Sequence, residues 1–133
     1  MAVTTARSGK FALLWLGSLA LCGCTPISYI VLKNNSGGAL TVVSDSESHT
    51  AAIAEVIRFV SPGSTHQLVI STPAGERLTY NTSYPGKAYI YKHHMFVVVE
   101  SNRRIYLLES KLGLTSLPAQ QPSGFPWAPA SSR

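Results

Sequence analysis

The chain has 133 residues, with 11 basic and 6 acidic side chains giving a formal net charge of +5 at pH 7. That length holds at most one modest folded domain. The charge does not indicate nucleic acid: Lys92-His93-His94 and Asn102-Arg103-Arg104 fall in turns at opposite ends of one predicted strand, roughly 20 Å apart, where a basic stripe on one face is needed.

In chain order, Met1 to Arg7 is polar, and Arg7 and Lys10 supply positive charge. An uncharged stretch, Phe11 to Leu21, follows at once and runs into Cys22, Gly23, Cys24, Thr25 and Pro26. A basic segment, a short apolar segment and a small-residue exit have the layout of a secretory signal peptide. A membrane-spanning helix wants about 20 apolar residues, and Pro26 interrupts too early for that. A helical signal segment over residues 1–23 is therefore predicted.

The tetrad Leu21-Cys22-Gly23-Cys24 resembles the lipobox of bacterial lipoproteins, with leucine three residues before the modified cysteine and a small residue just before it. Cys22 departs from the Ala or Ser more usual in that family. The resemblance covers residues 1–25 alone. It implies cleavage between Gly23 and Cys24 and acylation of Cys24 by palmitate-like chains, with a lipid bilayer as the partner. Thr25 after that cysteine, in place of the Asp that commonly retains lipoproteins at the inner membrane, implies residence at the outer membrane facing the periplasm. Cleavage would leave 110 residues, nine bases against six acids, and a single lipidated cysteine. An exported domain of this size often leans on disulfides. None can form within one such chain, so packing alone must hold the fold.

The mature part reads as strand, turn, strand. Ile27–Lys33 is rich in β-branched and aromatic residues and stops at Asn34-Asn-Ser-Gly-Gly38. Ala39–Ser44 resumes, and Asp45–His49 reads as a polar loop. Within Ala51–Val60, the residues Ile53, Val56, Ile57 and Val60 match a helical spacing, while Ile57 and Phe59 fit a strand. A strand over the second half, after a loop or helical turn, is preferred. Pro62-Gly63 turns the chain. Thr65–Ser71, Glu76–Asn81, Lys87–Lys92, Met95–Ser101 and Arg104–Ser110 follow as strands. Eight such segments predict an all-β domain over residues 24–110, best arranged as a small antiparallel β-sandwich, with Ig-like and open-barrel forms as alternatives. The last two strands are apolar on both faces, so something is expected to cover their outer side: the 51–60 segment, the carboxyl tail or a partner.

Residues 111–133 hold four of the eight prolines and no acid after Lys111, which predicts a flexible, Pro-rich tail. Phe125 and Trp127 around Pro126 offer a short docking motif, against the simpler account of an unstructured end.

Motifs for chemistry are sparse. His93 and His94 are adjacent, and neighbours on a strand point to opposite faces, so a solvated turn explains them better than a metal site. There is no Gly-x-Ser-x-Gly elbow, and Asp45 is the sole aspartate. No cofactor or metal is expected. Tyr89 and Tyr91, predicted to share one strand face, are the only weak candidates for ligand contact. The expectation is a non-enzymatic envelope lipoprotein that scaffolds or contacts another envelope protein. The alternative is a binding module for envelope glycan or a small apolar ligand.

Overall fold

The computed structural model describes residues 27–45, 47–63, 66–111 and 114–132. The predicted signal segment, the cleavage site after Gly23 and the lipidation site Cys24 lie outside these residues. Within them the chain is almost wholly β. The strands are β1 (Tyr29–Asn35), β2 (Leu40–Ser44), β3 (Glu47–Ala51), β4 (Val56–Val60), β5 (Gln67–Ser71) and β6 (Arg77–Asn81). They continue with β7 (Ile90–Tyr91), β8 (His94–Glu100), β9 (Ile105–Leu107), β10 (Glu109–Lys111), β11 (Leu114–Ser116) and β12 (Ser131–Ser132).

The strands assemble as two five-stranded sheets. The first has the order β4-β1-β8, and β7 and β9 share the far edge of β8. The second has the order β12-β6-β5-β2-β3. Pairing is antiparallel except between β1 and β8, where Tyr29 lies opposite His94 and Asn35 opposite Glu100. Alternation puts Ile30, Leu32, Phe59, Met95, Val97, Val99, Ile105 and Leu107 of the first sheet inward. Leu40, Val42, Leu68, Ile70, Leu78 and Tyr80 of the second meet them in one cluster. This two-layer arrangement is consistent with a β-sandwich.

Several expectations are corrected. The polar stretch around His49 is a strand, not a loop. β3 pairs with β2 from Leu40↔Ala51 to Ser44↔Glu47, and as an edge strand it buries Ala51 alone among its five residues. Its missing apolar alternation is what concealed it. Segment 51–60 resolves as the preferred strand β4, after a turn in which Ala54 takes φ 65°. The strand expected over Lys87–Lys92 shrinks to Ile90–Tyr91, because Gly86 at φ 90° leads into a 3-10 turn over Lys87–Tyr89. The last expected strand splits into β9 and β10, and β10 turns back on β11.

The largest correction concerns the tail, which is packed rather than flexible over residues 114–132. Trp127 and Ile105 exchange two backbone hydrogen bonds, of 2.9 and 2.8 Å. Trp127 is 3% exposed, its ring stacks on Phe125 at 4.9 Å, and its Nε1 donates to Ser83 Oγ at 2.9 Å. Gln121 grips β9 like a strand: Leu107 N donates to its Oε1 (2.8 Å) and its Nε2 donates to Leu107 O (2.9 Å). Gly124 is required where it stands, since its φ is 87° and a Cβ would sit 2.9 Å from Ser83 Oγ. β12 then pairs with β6. Proline bars the segment from a regular ladder but not from docking by aromatic rings and one side-chain amide.

Two buried polar groups tie the ends together. Asn34 occupies an inward position of β1 and is fully buried. Its Nδ2 faces the carbonyls of Gly38 (2.8 Å), Ala51 (3.1 Å) and Ala52 (3.1 Å), and its Oδ1 accepts from Ser36 N and Oγ. One side chain thus joins the β1–β2 turn to the β3–β4 turn. Tyr80 crosses between sheets, and its hydroxyl donates to Arg103 O at 2.6 Å. Burial pushes that hydroxyl up to about 12, with the Arg103 charge working against the rise.

Two predictions follow from the packing. Trp127→Ala is expected to lower unfolding free energy by about 3–5 kcal/mol in urea titration, while Leu117→Ala, 60% exposed, changes it by less than about 0.5 kcal/mol. A free tail would make the two alike. For Tyr80, the folded value lies above the ordinary 10.0. The stability it contributes is therefore whole below pH 10 and is lost as the pH climbs toward 12. Tyr80→Phe should be about 1 kcal/mol less stable at neutral pH and show a shallower loss across that alkaline window.

Candidate functional site

The outward face of the first sheet is where the domain is least finished. Residues alternate across each strand, so the interstrand register lays out rows on this face. Val60, Tyr29, His94 and Tyr91 form the row where β1 begins. Arg58, Val31 and Phe96 form the next, and Leu108 N donates to Phe96 O beside it. Val56, Lys33, Val98 and Tyr106 form the third.

Four side chains of the first two rows stack on one another. The Arg58 guanidinium lies 4.6 Å from the Tyr29 ring centre. Tyr29 stacks on His94 at 5.1 Å, and His94 lies 6.3 Å from Phe96 at an interplanar angle of 25°. The His94 ring is fixed further by a 2.6 Å contact between its Nδ1 and Lys92 O. Such stacking favours a rigid ladder over independent side chains. Each ring presents a face to its neighbour, which leaves mainly edges for a ligand.

Beyond Phe96 the face opens into a groove of about 230 Å³ lined by Val31, Lys33, Val56, Phe96, Leu108 and Thr115. Val56 is 55% exposed at its rim, and the β10–β11 hairpin flanks it with Leu114 exposed. Coverage of this face is thus partial: the hairpin reaches its border, while the tail docks on β9 and β6. The groove falls short of the ~300–1,000 Å³ usual for drug-sized ligands. It suits a side chain from a partner protein, or a small apolar molecule, beside the cation of Lys33.

Tyr89 and Tyr91 are not brought together, contrary to the expectation of a shared face. Tyr89 ends the 3-10 turn and packs, half-buried, against the core. Tyr91 is on the outward face, 38% exposed, with Lys92 Nζ 5.4 Å from its ring centre. The 3-10 turn replaces the two-residue period with one of three, and the pair separates. Tyr29, Arg58, His94 and Phe96 were not legible as a group, because their meeting depends on the parallel pairing of two distant strands. The available hint was that Tyr29, Val31 and His94, Phe96, Val98 each occupy alternate positions.

A second cavity, about 100 Å³, lies where Ile27, Ser61, His66, Thr82, Ser83 and Tyr84 converge. It is the size of a few waters. Ser83 Oγ accepts there from Trp127 Nε1 and donates to Gly124 O at 3.2 Å, so its proton points at a backbone carbonyl and not at His66. Among the described residues no three His, Cys, Asp or Glu side chains are grouped to hold a metal ion. No helix among them is long and apolar enough to cross a membrane. No protein-family model, curated protein or solved structure matches the chain.

Proposed function

We propose that this chain is the precursor of an envelope lipoprotein, cleaved before Cys24 and held by acyl chains on that residue. Its β domain works without catalysis, as a scaffold that contacts another envelope protein. The signal layout and the tetrad Leu21-Cys22-Gly23-Cys24 support the anchor, and Thr25 favours the outer membrane. The observation that carries the interaction role is the outward face of the first sheet, where Val31, Val56 and Phe96 adjoin a stacked ladder with Arg58 and Lys33 beside it. Apolar and aromatic side chains rimmed by cations are the ordinary make-up of a protein-contact patch. Each sheet keeps its own hydrogen-bonded order, which supports reading the fold as a sandwich in preference to an open barrel.

A small apolar ligand in the 230 Å³ groove is the second reading, favoured by its lining of Val31, Val56, Phe96 and Leu108. Glycan is less well served. A sugar stacks on an open ring face, and Tyr29 and His94 spend theirs on neighbours.

The anchor is tested by Cys24→Ser, which is expected to move the protein from the membrane fraction to a soluble or unprocessed form. Two or more acyl chains give stable residence, and without them none is expected. Unchanged sedimentation with membranes would contradict the anchor. The contact face is tested by Val56→Glu. That exposed change should shift stability by less than about 0.5 kcal/mol yet abolish recovery of a reproducible partner from solubilised envelope. Recovery unaffected by the charge would place the contact elsewhere.

A further inference from the structure

The first described residue, Ile27, is half-buried at the end of the domain where β1 begins. Four turns and loops meet at that end. Ser28 N and Tyr29 N donate to His93 O, Ser61 N donates to Ser28 O, and Ile27 and Tyr84 line one small cavity with Ser61 and His66. Only two residues, Thr25 and Pro26, lie between Cys24 and Ile27, and the three Cα steps reach at most about 11 Å even when fully extended. A headgroup layer is itself some 5–8 Å deep on each side of a bilayer. An acylated Cys24 therefore cannot hold this end away from the membrane.

The side chains exposed there suit that position. Tyr84 is 46% exposed, Tyr91 38% and Val60 48%, and they come from three different segments. Lys92 stands exposed beside Tyr91. The two nearby carboxylates are turned onto backbone: Asp45 Oδ2 accepts from Gly63 N and Glu47 Oε2 from Val60 N. At the opposite end the carboxylates are partnered too, Glu55 by Ala52 N, Glu76 by Arg103 and Glu100 by Asn35, so the ends differ in their apolar and aromatic side chains: that end exposes Ile53, and its tyrosine, Tyr106, is half-buried.

We propose that the domain lies with this end against the bilayer, Tyr84, Tyr91 and Val60 entering the headgroup layer and Lys92 meeting the phosphates of anionic phospholipids. Tyrosine is at home at that depth because its ring is apolar and its hydroxyl stays wet. The proposal rests on the acylation of Cys24. It adds an orientation, which leaves the groove around Val56 and Phe96 clear of the membrane and facing a partner.

Three aromatic exchanges test it: Tyr84→Trp, Tyr91→Trp and Tyr106→Trp, each in the processed, full-length protein. Trp15 leaves with the signal segment and Trp127 is buried, so the new indole reports its own surroundings. Mass spectrometry first establishes acyl chains on Cys24. Each protein then goes into phosphatidylethanolamine–phosphatidylglycerol vesicles carrying brominated acyl chains. Quenching of the indoles at positions 84 and 91 is expected to exceed that at position 106 roughly threefold. Equal quenching at all three, with Cys24 acylated, would overturn the orientation and leave the anchor standing. An unacylated Cys24 would overturn both.

Discussion

The two sheets meet in one core, and the strap at the carboxyl end closes it. Without residues 117–132, β9 would present Ile105 and Leu107 at an open edge, and β6 would end the second sheet with its hydrogen-bonding groups unpaired. Trp127 and Gln121 satisfy β9 through backbone and side-chain amides, and Ser131 and Ser132 satisfy β6. The same strap adds Phe125 and Trp127 to the core. A domain of this size has little apolar area to spare. Two buried aromatic rings, several kcal/mol between them, make the strap as much a part of the core as any strand.

That closure decides where the molecule can interact. Because the strap seals the β9–β6 side, and β3 with β4 close the other, the outward face of the first sheet remains as the apolar surface with unfilled space. The Arg58–Tyr29–His94–Phe96 ladder stiffens it, so the partner proposed for this face would meet a surface already ordered, at little cost in side-chain entropy. A lipid on Cys24 would set the domain close to the bilayer with that face directed sideways, along the membrane plane, toward other envelope proteins.

Much of the sandwich was readable from alternation. Leu40, Val42, Leu68, Ile70, Leu78 and Tyr80 sit inward as their spacing dictates. What escaped was whatever relied on contacts between distant residues. β3 carries polar side chains because an edge strand needs only backbone pairing. Asn34 looked like the first residue of a turn, yet it is a buried junction whose five polar contacts reach two separate turns. The tail's prolines suggested a flexible end, yet the segment pairs with β9 and β6; Phe125 and Trp127 were the better guide, since large rings near a chain end have core area to gain. Tyr89 and Tyr91 failed as a pair because a single glycine, Gly86, changed the local period. The Tyr29–His94 stack could not be seen at all, since nothing local announces that β1 runs parallel to β8.

The strap's membership of the core is tested most directly by native-state amide hydrogen exchange, comparing Trp127 and Ile105 with Val97 and Val99 of β8. If the strap unfolds only with the domain, all four amides exchange with the free energy of global unfolding. Exchange at Trp127 near the rate of an unstructured peptide, while β8 remains protected, would show that the sandwich stands without its strap and would contradict the account.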